Sequence, residues 1–352
     1  MFELKVSKSH FLSHIFLKEL VDEHGLQSFT LADDAIFSVK PISGGAHSNK
    51  RLPESDDNIA FEKLLIFCEG LHLQQLQLIS LALQEHLESV MYKVVRVDGV
   101  SGFAICAQVK VVQSQGIKAQ IEKVANQLSV ELCWFNQVPT LTQPGLLLMD
   151  MDSTVIAVEC IDEIAELAGV GAEVSEVTAR AMKGELDFAQ SLRTRVSCLQ
   201  GADEAILQQV RDALPLMPGV ANLVNLLKKY NWKVAIASGG FTYFADYLAQ
   251  RLALDAAVAN GLDIVDGKLT GNLVGRIIDA EVKAETLHTL AKQWDIPVTQ
   301  TIAMGDGAND LVMMNAAALG VGLHAKPVVR EKADMAIRRG GLDALLWVLA
   351  AN

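Results

Sequence analysis

Two carboxylates one residue apart, Asp150 and Asp152, close the apolar run Leu146-Leu147-Leu148-Met149 and are followed by the hydroxyls of Ser153 and Thr154. A strand-length apolar run that stops abruptly at acids is how a buried parallel strand delivers polar groups to its carboxyl end. Open α/β sheets bind their ligands there. A carboxylate at Asp150 can attack phosphorus to give an aspartyl phosphate, which splits a hydrolysis into two easier steps. Asp152, two residues on, is expected on the same side of the strand, where it would protonate a leaving oxygen and then deprotonate the attacking water. Taken alone, Asp-x-Asp is a weak signal, because paired acids at a strand end are more often a solvated turn or a helix cap.

Three later stretches strengthen it. Ser238-Gly239-Gly240 follows the apolar stretch Lys233–Ala237 and offers a hydroxyl with backbone amides. Lys283 stands in the first turn of a helix expected over Ala280–Trp294, and Gly305-Asp306-Gly307-Ala308-Asn309-Asp310 follows the short strand Thr301–Met304. A hydroxyl with amides, a lysine and further acids are the parts needed to hold a phosphoryl group beside a hard metal ion. Mg2+ suits such a set, since it prefers oxygen ligands and is bound by one or two carboxylates together with substrate phosphate. Asp150 and Asp306 are the expected side-chain ligands, with the peptide oxygen of Asp152 a third. Ser238, the Gly239 amide and Lys283 would neutralise the oxygens of the transferring group.

The elements that must position these groups alternate between strand and helix. After Leu146–Met149 comes a helical tract at about residues 160–215 with no strand in it, expected as an inserted cap where small-substrate enzymes place specificity groups. Then follow a helix Val220–Lys229, the strand into Ser238, a helix Phe241–Arg251, a strand Ala256–Ala259, a hairpin turning at Asp266-Gly267, and the helix–strand–helix series to Ala317. Such alternation marks a doubly wound, Rossmann-like parallel sheet.

The N-terminal half has a different rhythm. Residues 1–37 show weak helical periodicity around Phe11, Ile15, Phe16 and Leu20, and Pro41–Asp57 reads as a loop. From Lys63 the pattern is strand (Lys63–Cys68), helix (Leu71–Leu87), strands Val90–Val97 and Phe103–Val112 around Asp98-Gly99, helix (Ile117–Leu128) and strand (Val130–Phe135). The order β-α-β-β-α-β predicts a ferredoxin-like α+β domain over residues 1–138, ACT-like in kind, that binds a regulatory amino acid or pairs two copies as a homodimer. Asn136–Gly145, with Pro139 and Pro144, is expected as a linker, and 146–352 as the second domain.

Composition narrows the partners. Asp and Glu total 42 against 30 Lys and Arg, so a net charge of -12 disfavours a nucleic-acid backbone. The five cysteines are odd in number and widely spaced, which favours buried thiols in a reducing, cytoplasmic setting. The apolar residues around Met1–Leu20 are broken by charge, unlike a signal peptide. Mean hydropathy is positive at +0.26, yet no run of the roughly 18 apolar residues that cross a membrane is present. His24, His47 and His324 fit no catalytic pattern.

Asp150-Met151-Asp152-Ser153-Thr154, Ser238-Gly239-Gly240, Lys283 and Gly305-Asp306-Gly307-Ala308-Asn309-Asp310, in that order, resemble the four motifs of the haloacid dehalogenase superfamily of aspartate-nucleophile phosphatases. Glu159 to Ala165, Met182 to Phe188, Ser191 to Val196 and Ala237 to Phe241 are similar to the phosphoserine phosphatase family within it. The likeness runs over about residues 146–340. It implies Mg2+-dependent hydrolysis of O-phospho-L-serine to L-serine and phosphate, the last step of serine biosynthesis. It implies Asp150 as nucleophile, Asp152 as general acid and base, Asp306 as metal ligand, and Asn309 and Asp310 in the metal's outer shell. It also implies Glu159 at the substrate ammonium, Arg195 at its carboxylate, and Met182 and Phe188 as apolar pocket walls. The main rival is a phosphatase or phosphotransferase for another small phosphate monoester.

Overall fold

The first strands of the chain are too short for apolar alternation to show in the sequence. The computed structural model describes residues 2–5, 17–22, 26–31, 36–40 and 61–352. Within residues 1–40 the described elements are the strands Phe2–Lys5 (β1), Ser28–Leu31 (β2) and Ile36–Lys40 (β3) and a short helix, Leu17–Asp22 (α1), which holds Leu20 of the expected helical periodicity. Segments of four or five residues give pairing, rather than pattern, the deciding role. Phe11, Ile15, Phe16, His24, His47 and the expected loop Pro41–Asp57 lie outside the described residues.

Glu62–Phe67 (β4), Leu73–Leu83 (α2), Leu87–Val95 (β5), Ala104–Val111 (β6), Ile117–Leu128 (α3) and Glu131–Phe135 (β7) follow. Among the described residues the sheet is seven-stranded and antiparallel, in the order β1-β3-β2-β5-β6-β4-β7. The last four strands of that order have the split βαβ arrangement. Leu73, Leu76, Ile79 and Leu83 of α2 and Ile117, Ile121, Val124 and Ala125 of α3 supply the apolar layer packed with β4–β7. Phe29 and Tyr92, direct partners across β2 and β5, stack with ring centroids 5.1 Å apart, an aromatic cross-strand pair that joins the short strands to the rest.

The chain divides into two compact units, Met1–Gln137 with Leu346–Asn352, and Val138–Leu345. In the first, the ring of Trp347 meets that of Phe67 at 5.2 Å. Residues 138–145, expected as part of a linker, are packed into the second unit: Val138 and Leu141 are buried, Trp232 Nε1 donates to the Leu141 carbonyl, and the Gln300 amide accepts from the Thr140 N–H and donates to the Thr140 carbonyl.

The second unit begins with Leu146–Met149 (β8), whose four side chains are all fully buried, as a central parallel strand requires. Four helices follow with no strand between them: Cys160–Ala168 (α4), Gly171–Met182 (α5), Phe188–Cys198 (α6) and Ala205–Asp212 (α7). Then come Val220–Lys229 (α8), Lys233–Phe241 (β9), Thr242–Arg251 (α9), Ala256–Val265 (β10), Lys268–Val274 (β11) and Ala280–Gln293 (α10). Thr301–Gly305 (β12), Leu311–Ala316 (α11), Leu319–Leu323 (β13), Pro327–Lys332 (α12) and Met335–Ile337 (β14) complete it, while Leu345–Ala350 (α13) belongs almost wholly to the first unit.

The strand order is β11-β10-β9-β8-β12-β13-β14, parallel except for the hairpin β10–β11. That hairpin turns at Asp266-Gly267, both with positive φ, the conformation a two-residue turn needs to match strand twist. Its return strand bonds the loop between α6 and α7 through Gly201 N–H to the Leu269 carbonyl and Leu269 N–H to the Ala202 carbonyl. β8 has β9 on one side and β12 on the other, so the chain's progress along the sheet reverses there. The crevice at such a switch point is where a doubly wound sheet binds its ligand.

Candidate active site

Asp150 follows β8 directly, is 6% exposed, and is held by its own turn: Met151 N–H donates to its Oδ1 at 2.7 Å. The chain then coils tightly, with Thr154, Val155 and Ile156 N–H all directed at the Met151 carbonyl and Ser153 at positive φ. β8 has already ended, so strand alternation does not bring Asp152 to the site; this turn does. Cys160 N–H donates to Asp152 Oδ1 at 3.2 Å. A β-carbon on Gly240 would lie 2.6 Å from Asp152 Oδ2, so the carboxyl rests against bare glycine backbone. Burial, then Glu159 and Asp150, lift the Asp152 carboxyl to about 8. At neutral pH it therefore holds a proton it can deliver.

β12 delivers the second acidic group. Oxygens of Asp150, Asp306 and Asp310 lie within 4.8 Å of one another. Asp310 is fully buried and both its oxygens accept: Oδ1 from Lys283 Nζ at 2.7 Å and Asn309 Nδ2 at 3.2 Å, Oδ2 from Gly307 N–H at 3.0 Å. It meets the cluster more closely than its expected place in an outer shell suggested, although its oxygens are already used by protein donors. The carboxylate of Asp152, by contrast, is not part of this trio.

Lys283 reaches the cluster from α10, whose start is set by Asp279: its Oδ1 caps the Val282 N–H at 3.0 Å. The ammonium, 1% exposed, stands 2.9 Å from Asp150 Oδ1 as well. Burial pushes its pKa down, but Asp150 and Asp310 outweigh that, and the net direction is up. One cation faces three carboxylates. Burial, then Asp150 and Glu159, accordingly raise Asp306 to about 6, and burial with Asp150 raises Asp310. Hard oxygen donors with uncompensated negative charge fit a divalent cation, and Asp150 Oδ2 meets no donor among the described residues.

Ser238 is buried at the end of the β9 core, and Gly240 N–H donates to its Oγ at 2.8 Å. A hydroxyl that accepts there keeps its single proton for an outside acceptor. A β-carbon on Gly239 would come within 2.7 Å of Phe188 Cζ, so the ring of this cap residue lies over the glycine. Glu159 is the N-cap position of α4, is exposed, and accepts from Ser153 Oγ at 2.8 Å. Arg195 is half-buried on α6, and its Nε is enclosed without a hydrogen-bond partner. Met182, expected as a pocket wall, ends α5 at 70% exposure and is not enclosed by the site. His324 bonds the Gly340 carbonyl at the surface. Sequence reasoning passed over Asn260, a buried amide in β10; its signal was a polar residue interrupting an apolar strand.

Residues 145–318 match the model of the haloacid dehalogenase-like hydrolases. A phosphoserine phosphatase of Vibrio cholerae serotype O1 is 56% identical over 235 residues, 67% of this chain and 72% of that one. The chain belongs to the phosphoserine phosphatase family. The crystal structure of a probable phosphoserine phosphatase from Vibrio cholerae, in unliganded form, superposes with a TM-score of 0.70 at 46% identity, covering 82% of this chain and 86% of that one. A phospho-aspartyl intermediate analogue of a phosphoserine phosphatase gives 0.56 at 39% identity over 59% of this chain and 99% of its own. The acidic trio offers the hard oxygen donors that a divalent cation takes. No helix among the described residues is long and apolar enough to cross a membrane.

Proposed function

We propose that this chain hydrolyses O-phospho-L-serine to L-serine and phosphate, the closing step of serine biosynthesis, through an aspartyl phosphate on Asp150. The observation that carries the reading is Asp150 at the end of the central strand beside Lys283, in a chain whose relatives are named phosphoserine phosphatases. Asp150 attacks phosphorus while Asp152 gives its proton to the departing seryl oxygen. Asp152 then takes a proton from the water that cleaves the acyl phosphate, and phosphate leaves. The solved phospho-aspartyl analogue of a relative supports the intermediate.

Ser238, the Gly239 amide, Lys283 and Asn309 bind the phosphoryl oxygens. Glu159 meets the substrate ammonium, Arg195 its carboxylate in the paired fashion guanidinium favours, and Phe188 and Met182 wall the pocket. The enclosed, unpartnered Arg195 Nε supports that role. Mg2+ is the proposed metal, held by Asp150, Asp306 and the peptide oxygen of Asp152, with Asp310 beside it. When bound it draws charge off the phosphoryl oxygens. Turnover of a panel of phosphomonoesters tests the substrate: a better substrate than phosphoserine would sink the assignment, as activity retained by Asp150→Asn would sink the nucleophile.

Residues 1–138 are read as an ACT-like module, and 146–352 as the phosphatase domain with its cap at about 160–215. The split βαβ order supports the first part of this reading. Such a module would bind a regulatory amino acid or pair two chains as a homodimer. Light scattering of the full chain decides the second role, which a monomeric mass at micromolar concentration would remove. The setting proposed is cytoplasmic, supported by five free cysteines.

A further inference from the structure

The register of β9 against β10 breaks at the phosphate loop. Val258 pairs with Ala237 and Asn260 with Phe241, so Ser238, Gly239 and Gly240 stand opposite the single residue Ala259. An excess of this kind bends a strand and leaves backbone groups without ladder partners. The side chain of Asn260, 1% exposed, takes their place: its Nδ2 donates to the Gly239 carbonyl at 2.8 Å and the Gly240 carbonyl at 3.3 Å. A peptide unit is planar, so anchoring the Gly239 carbonyl also aims the Gly240 N–H, which donates to Ser238 Oγ. The same amide reaches the other side of the site. Its Oδ1 accepts from Ile278 N–H at 2.9 Å, and Ile278 immediately precedes Asp279, the cap of the helix that carries Lys283.

We propose that Asn260 is a positioning residue for phosphoryl recognition, holding the Ser238 loop and the start of the Lys283 helix in register through one buried amide. It does not touch substrate. The inference rests on the reading of Ser238 and Lys283 as the phosphoryl contacts, and it adds the residue that fixes their relation. Nothing else is asked of Asn260, whose polar atoms are all consumed within the protein, so its cost of burial is met by three hydrogen bonds.

The test is a double-variant cycle in the full chain with Mg2+, combining Asn260→Ala with Ser238→Ala. kcat and KM for phosphoserine and inhibition by orthovanadate and by L-serine are read for each. Asn260→Ala is expected to lower kcat/KM and vanadate affinity by about tenfold or more. In the Ser238→Ala background the same change should cost no more than about threefold, and L-serine inhibition should stay within about twofold, because the amino-acid end is bound elsewhere. An equal loss in both backgrounds, or an equal loss of L-serine affinity, overturns the proposal in favour of a general packing role. Should Asn260→Ala not fold, Asn260→Ser, which keeps a small donor in the cavity, carries the same cycle with the same criteria. Failure of the underlying reading is separable, since it needs no change at position 260: Ser238→Ala alone would leave turnover and vanadate inhibition unaltered, and the proposal would fall with it.

Discussion

Lys283 Nζ stands 2.9 Å from Oδ1 of Asp150, and both side chains are almost wholly removed from solvent. The ammonium serves Asp310 equally, at 2.7 Å, so it is the cation around which the buried carboxylates are assembled. An ion pair this deep adds little net stability by itself, but breaking it strands the remaining charges.

Lys283→Met should therefore damage fold and function together. Leaving Asp150 and Asp310 buried without their cation should cost about 3–5 kcal/mol, read as a lower urea midpoint at unchanged slope. Phosphoserine turnover should fall by at least about 10²-fold. Lys283→Arg should not restore it, because a planar fork cannot reproduce a point charge shared by two carboxylates. Turnover within about tenfold of the parent in Lys283→Met would contradict this account.

The glycine beside Asp152 offers a second check. A β-carbon at position 240 would meet Asp152 Oδ2 at 2.6 Å and Met151 Cε at 2.7 Å. The methionine end can swing away, whereas Asp152 is held by Cys160 N–H. Gly240→Ala should push the carboxyl off its position and cost about 1–3 kcal/mol of stability. A general acid matters most for a poor leaving group, so phosphoserine turnover should fall by about 10²-fold or more, and p-nitrophenyl phosphate turnover much less. An unchanged ratio between the two substrates would rule out displacement of the acid.

The raised carboxyls give a dependence on pH and metal. In the folded chain Asp152 lies near 8 and Asp306 near 6, above the value of about 3.9 for an unfolded aspartate. Groups with raised folded pKa values bind protons more tightly when folded. Their stabilising contribution is complete below about pH 4 and lost as pH rises through about 6 and then 8. Thermal unfolding in EDTA should thus occur at progressively lower temperature from about pH 5 to about pH 8. Mg2+ binds the charged Asp306 carboxylate of the folded state only, so the rise in Tm on its addition should grow as pH rises through about 6. A metal increment that is flat with pH would show that Asp306 is not a ligand of the metal.

Much of the catalytic unit was legible because each of its parts is local. An apolar run ending in Asp150, the helix signal ahead of Lys283 and the Gly305–Asp310 turn are each written within ten residues, and strand–helix alternation implies a parallel sheet. The expected order of chemistry along the chain follows from those alone. The packing of residues 138–145, expected as part of a linker, and the short strands β1 to β3 were not legible, for the opposite reason. Residues 138–145 are held by bonds from Trp232 to Leu141 and from Gln300 to Thr140, partners far along the chain, and β1 to β3 exist through pairing with each other and with β5.

By itself, then, the sequence determined which residue types stand at strand ends and what reaction they suit: two acids that attack and shuttle a proton, a lysine, and glycine-cradled hydroxyls. Only the tertiary structure decided which of them meet. β9 and β12 both flank β8, and this brings Ser238, Lys283, Asp306 and Asp310 to Asp150, draws Asp310 rather than the Asp152 carboxylate into the trio, and leaves Met182 at the surface. The same packing placed Asn260 beneath the loop of β9. Chain spacing carries no information about such meetings, because they are set by strand order and register, and both are properties of the whole sheet.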